Sequence, residues 1–316
     1  MNETTYGIQK TIVAIHTEDR DVTKFATPTQ FEVDLPVSYK NVVSMRLSDI
    51  RLPTPLHVFS RENQNTKLSV EFGGTVYQVE ISTGTYTPAQ LTAELSGHLT
   101  AVTGSTFRVL YNQISRQLVF TNATDPFKLF FDRPEQYAAC SAPPYFGNYS
   151  NWGLGSYLGF EKRPYASAVS SFNFYWATPA ETYTNVHAVA APNIANLDGD
   201  EEMYMEVATY NSIDEMQPYQ ERSSDLYYGK YGGNHNGSFA RIPIHARSST
   251  QDYLNNIYFR DPPLERLQKL RFLFRYHDGR PVSFHGQDFS FSVEITTLRN
   301  EVTKAFSVNR SNYTLT

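Results

Sequence analysis

The sequence holds a single cysteine, Cys140, among 316 residues. No intramolecular disulfide can form, so the fold does not depend on an oxidising compartment. Long apolar runs are missing too: no stretch of 18 apolar residues occurs and the opening MNETTYGIQK is polar, which gives neither a membrane span nor a signal-peptide core. Any membrane contact is expected to be peripheral or through a partner. A basic excess is also lacking, since 27 Lys and Arg face 32 Asp and Glu for a formal charge of −5. That balance argues against a general phosphate-backbone binder, and no direct nucleic-acid contact is expected.

Reaction-centre patterns are equally scarce. There is no Gly-x-Ser-x-Gly elbow, no phosphate loop with its Lys-Ser/Thr, and no Cys-x-x-Cys. The eight histidines include no His pair of the zinc-protease kind. His277 and His285 flank one expected turn, and they read as turn residues rather than ligands. The acids Asp198, Asp200, Glu201 and Glu202 supply oxygens for a hard cation but not the spread of an EF-hand loop, so they read as a solvated acidic turn. Glu32 and Asp34 lie two apart on one strand and would serve a glycosidase only if they faced a cleft. Cys140 has no cationic neighbour in sequence to activate it. Neither catalysis nor a cofactor is expected. The sequons at Asn2, Asn122, Asn148, Asn236, Asn309 and Asn312 fit a polar, turn-rich surface.

What the chain has in plenty is aromatic side chains: 22 Tyr and 21 Phe. These favour pleated, half-buried surfaces and protein contacts. Alternation of apolar and polar residues then marks strand after strand. Phe31, Val33 and Leu35 alternate with two acids up to Pro36, and Val43, Met45 and Leu47 form a second run that Pro53 and Pro55 stop. Leu68–Phe72 and Tyr77–Ile81 flank Gly73-Gly74, a two-residue hairpin turn. One helix is expected after Thr87, with Pro88 at its first position and Leu91, Leu95, Leu99 and Val102 on one face. Strands follow near 107–111 and 117–121, then an aromatic run at 127–131. The stretches 132–180 and 211–238, rich in Tyr, Gly and Pro, read as surface excursions. Period-2 alternation returns at Met203–Val207, at Leu270, Phe272, Phe274 and Tyr276, and at Phe289–Ile295. The class is therefore all-β, closed as a sandwich or jelly roll.

Several segments, in order, are similar to jelly-roll minor capsid or penton-type structural proteins of nucleocytoplasmic large DNA viruses. They are His16-Thr-Glu-Asp-Arg-Asp21, Phe31-Glu-Val-Asp-Leu-Pro36, Tyr39–Leu47, Gly84-Thr-Tyr-Thr-Pro-Ala-Gln-Leu91, Leu158-Gly-Phe160, Leu270–Gly279 and Phe289–Ile295. Each is only a strand or a turn; their order and spacing over residues 11–298 carry the likeness.

The resemblance implies a jelly-roll sandwich of residues 31–60 and 176–298, split by a β-β-α-β-β insertion over 61–175. An N-terminal arm or strand (1–30) and a C-terminal tail (299–316) flank it. Two consecutive jelly rolls are the alternative. It further implies a structural role in a virion capsid assembled in the host cytoplasm. The expected partners are the major capsid protein, other minor capsid proteins and further copies of the chain. The 18 C-terminal residues, fully extended, reach about 60 Å, enough to meet a neighbour. Candidate contact residues are Tyr145, Phe146, Tyr149, Trp152 and Tyr157, as aromatic anchors, together with Arg271 and Arg275, on one strand face. A carbohydrate-binding or host-attachment sandwich is the competing function, in which Trp152 would stack on a sugar.

Overall fold

The computed structural model describes residues 7–53, 56–133, 153–174, 181–216, 235–244, 257–277 and 279–298. In chain order the strands are β1 (Ile8–His16), β2 (Gln30–Arg51), β3 (Lys67–Phe72), β4 (Thr75–Glu80), β5 (Phe107–Asn112), β6 (Gln117–Asn122), β7 (Phe127–Phe130) and β8 (Pro164–Ala166). They continue as β9 (Ala168–Phe174), β10 (Glu181–Ala190), β11 (Glu202–Val207), β12 (Ile213–Met216), β13 (His235–Ser238), β14 (Ala240–Pro243), β15 (Ile257–Arg275) and β16 (Ser290–Leu298). Helix α1 spans Pro88–Thr103 and helix α2 Gly153–Tyr157. All strand pairings are antiparallel, and the class is all-β as expected.

Two compact units share the chain. The first holds a six-stranded sheet in the order β1-β16-β2-β15-β11-β14, with the hairpin β12–β13. Both chain ends thus contribute to one sheet. Its central strand β2 is 22 residues long and runs through Pro36, where the alternation pattern alone predicts an end. Proline is tolerated there because the ladder is already broken. Between the pairs Asp34↔Lys269 and Tyr39↔Leu267, four residues of β2 stand against one of β15, and Pro36 lies in that bulge. A matching bulge in β15, between Phe259↔Ser44 and Leu264↔Val42, takes up Pro262 and Pro263.

These bulges let the sheet curl. Phe31 pairs with Phe272 near one end of β2, whereas Phe291 pairs with Ile50 near the other. Straight strand between Phe31 and Ile50 would cover about 60 Å. Yet the ring centroids of Phe31 and Phe291 are 6.3 Å apart, and Phe272 lies 5.0 Å from Phe291. β2 therefore doubles back, with Asn41 at φ 54° in its middle, and carries the chain from one wall of a jelly-roll-like sandwich to the other. Phe274, Phe284 and Phe289 complete a buried aromatic cluster, with centroid separations of 4.5–5.7 Å. Burial of each such ring contributes roughly 1.5–3 kcal/mol. Much of the phenylalanine that suggested contact surfaces is spent on this core.

The second unit stacks two four-stranded sheets, β4-β3-β7-β8 and β5-β6-β10-β9, with α1 against β4 and β5. The Gly73-Gly74 turn has φ 57° and 78°, as a type I′ hairpin requires. Thr87 caps α1 in a capping box with Gln90, and Gly104 ends it at φ 71°. Leu91, Leu95 and Leu99 are fully buried and Val102 half-buried, on the expected face. The division between units falls at Gly199/Asp200 rather than near 176. β10 belongs to the second unit because its residues 187–190 continue the ladder of β6, setting Val189 beside Phe120. The two ends of its 55–199 segment approach each other: a Cβ on Gly199 would lie 3.1 Å from Val58.

Candidate contact surfaces and ion networks

The landmark segments prove to be points of constraint. His16–Asp21 forms a corner in which β1 ends in a 3-10 turn, Thr17–Asp19. Arg20, almost fully buried, donates to the Thr17 carbonyl at 2.6 Å, to the Phe25 carbonyl at 3.1 Å and to Asp288. Thr17 Oγ1 also donates to Asp288 at 2.9 Å, which fastens the corner to the segment leading into β16. Leu158-Gly-Phe160 is a plug: both apolar side chains are buried, and Gly159 sits at φ 85°. A Cβ there would lie 2.3 Å from the Asn193 carbonyl, so only glycine fits. The sequon residue Asn122 is buried, its Oδ1 accepting the amides of Thr124 and Asp125, both at 3.0 Å.

Of the candidate contact residues, Tyr145, Phe146, Tyr149 and Trp152 lie outside the described residues. Tyr157 ends α2 half-buried, its ring 5.6 Å from that of Phe59, so one face is already held by the core. Arg271 is exposed, directly opposite Glu32 on β2.

Arg275 departs from the expectation of a contact residue. It shares the strand face of Arg271, but its side chain is only 4% exposed, because the β12–β13 hairpin brings Glu215 over it. Arg275 Nη2 donates to Glu215 Oε2 at 2.8 Å, Nε to Glu206, and Nη1 to the Tyr276 carbonyl at 3.1 Å. The second Glu215 oxygen is bonded to His277 Nδ1. A carboxylate only accepts, so Nδ1 carries the hydrogen. The guanidinium also lies over the Tyr204 ring, 5.2 Å from its centroid. Burial works against the charge of Arg275, but Glu215 and Glu206 hold its pKa above the usual range. Burial pushes the Tyr204 phenol up, and the charge of Glu215 adds to the effect. Such a network fixes the hairpin's position on the sheet.

The other candidate acids are committed in the same way. Glu32 and Asp34 both pair with Lys269, at 3.2 and 3.3 Å, rather than facing a cleft. Asp200 accepts from the buried Arg280 at 3.1 Å, and Glu202 pairs with Arg241. Among the described residues no group of three or more His, Cys, Asp or Glu is placed to hold a metal ion. No helix among them is long and apolar enough to cross a membrane.

On the outer face of the six-stranded sheet, Glu294 accepts from Arg46 at 2.9 Å and pairs with Lys10 at 3.2 Å. Hydrogen bonding from Arg46, aided by Lys10, holds the Glu294 carboxyl below the usual carboxylate range. Sequence reading missed Glu206, Glu215 and Glu294. Glu294 was legible as an acid on the polar parity of an alternating strand, whereas nothing in the local pattern ties Glu215 to Arg275, sixty positions away.

No protein-family model and no curated protein matches the sequence. Among solved structures, the mavirus penton protein aligns over 94% of this chain and 100% of its own, at 10% identity and a TM-score of 0.39. A chain of the Sputnik virophage structure aligns over 92% of this chain and 98% of its own, at 10% identity and a TM-score of 0.35.

Proposed function

We propose that this chain is a structural component of a large icosahedral DNA-virus capsid, a minor capsid or vertex protein that works through protein contacts and not through a reaction. One observation carries the reading. The segments that resemble such proteins are spread over nearly the whole chain, and several coincide with what shapes a single curled sheet: the Arg20 corner, the bulge at Pro36, and the strands β15 and β16 that flank β2. Its partners are the major capsid protein, other minor capsid proteins and further copies of the chain. Its place is the virion shell, assembled in the host cytoplasm.

Quantitative mass spectrometry of gradient-purified particles is expected to find the chain at a copy number compatible with icosahedral symmetry. A chain abundant in infected cells but absent from purified particles would rule the proposal out.

A further inference from the structure

The two edges of the six-stranded sheet are treated differently. At one edge β14 has four residues and ends in Pro243, a common way to blunt an edge. At the other, β1 runs nine residues in unbroken register with β16, with no proline and a single lysine. No strand among the described residues pairs with its far side. Ile8 and Ile12, each 65% exposed, project from it.

The direction of its free hydrogen-bonding groups follows from the ladder. The Thr17 amide donates to the Phe289 carbonyl at 2.9 Å, which extends the β1–β16 register by one pair. In an antiparallel ladder, residues bonded to the neighbour alternate with residues whose N–H and C=O point away. The odd residues of β1 therefore face β16, and Ile8, Lys10, Ile12, Ala14 and His16 present theirs at the free edge. The odd Val13 and Ile15 are buried, and these same even residues carry exposed side chains.

We infer that the β1 edge pairs with the β1 edge of a second copy of this chain, antiparallel, about a two-fold axis at Ile12. This register sets Ile8 opposite His16, Lys10 opposite Ala14, and Ile12 opposite its own equivalent. Every outward N–H then meets an outward C=O, two hydrogen bonds to a pair, over the whole strand. Two isoleucines meet at the centre and no like charges face each other. Centring on Lys10 sets two lysines opposite, which is destabilising. Centring on Thr11 leaves His16 beyond the end of β1 in the partner, and centring on Ala14 drives the partner into the Thr17–Asp19 turn. The self-pairing goes beyond the shell role and rests on β1 alone.

Sedimentation velocity of the full chain over a micromolar concentration series tests it. The wild-type chain is expected to dimerise. Ile12→Lys, which places two lysines opposite each other, is expected to weaken the dimer by at least roughly tenfold with no change in melting temperature. Ile12→Pro, which removes an outward N–H unused within the sheet, is expected to do the same. Ile114→Lys, at a position 78% exposed in the second unit, leaves the dimer intact. If the proline variant misfolds, the lysine variant still decides. Residue-resolved hydrogen exchange is expected to show protection of amides 8, 10, 12, 14 and 16 that is lost on dilution. A wild-type chain that stays monomeric, a dimer indifferent to Ile12→Lys, or edge protection independent of concentration overturns the inference.

Discussion

Replacing Arg275 by methionine probes the buried network most directly. The substitution keeps an unbranched stem but leaves Glu215, 6% exposed, and Glu206, 26% exposed, without the guanidinium they share, while His277 still bonds Glu215. Removing one partner of a buried ion pair costs about 3–5 kcal/mol, because the remaining charge stays desolvated. With a urea slope of about 2 kcal/mol/M, the midpoint should fall by roughly 1.5–2.5 M. The chain contains two compact units, so a single global signal mixes their transitions. Pulsed hydrogen exchange along a urea series separates them: β11 and β15 amides should open early while those of β3 and β6 keep their wild-type midpoint. Adding Glu215→Leu removes the stranded charge, and Glu206 can turn to solvent. The double variant is then expected within about 1 kcal/mol of wild type, since apolar replacement of a buried pair is often neutral. An Arg275→Met variant as stable as wild type, or a double variant as weak as the single, would falsify this account.

The Glu294 carboxyl titrates below its unfolded value of 4.5, so the stability it contributes is complete above that pH and is lost as pH falls through the lower folded value. Glu294→Gln should therefore be weaker than wild type at pH 6, and the gap should narrow as pH falls below the unfolded value, in urea midpoints measured on the first unit. Gly159→Ala forces a Cβ against the Asn193 carbonyl at a left-handed φ and is expected to cost at least about 2 kcal/mol, read as loss of exchange protection in the second unit. Thr87→Ala removes one half of the α1 capping box and should cost about 1 kcal/mol, seen as faster exchange in the first helical turn.

Period-2 alternation and turn chemistry made much of the strand inventory legible. The Gly73-Gly74 hairpin, the Thr87–Gly104 helix and the strands around Leu68, Phe107, Leu118, Met203, Phe272 and Phe291 stand where their patterns place them. The strand ends were hard to read wherever a bulge takes up a residue the ladder excludes. Pro36 reads as a stop, but three extra residues on one strand let the chain pass it, and a bulge of the same size takes up Pro262-Pro263. The register that sends β10 to the second unit is equally invisible, because pairing between positions 120 and 189 leaves no mark in either local pattern. Arg275 shows the same limit at the level of a site. Its strand parity matches that of Arg271, and only the crossing of β12–β13, set by distant pairing, turns one of two equivalent arginines from a surface residue into an internal one.

The meeting of Val58 and Gly199 has an architectural consequence. A segment such as 55–199, whose ends approach this closely, is suited to exchange, because the gap left by its removal could be closed by a few residues. Loop-closure cost grows slowly with length, so a domain of another size and chemistry could occupy the same doorway. On this design the six-stranded sheet is the fixed frame, and the residues between its second and third strands in sequence are a slot that can be refitted while the frame stays the same.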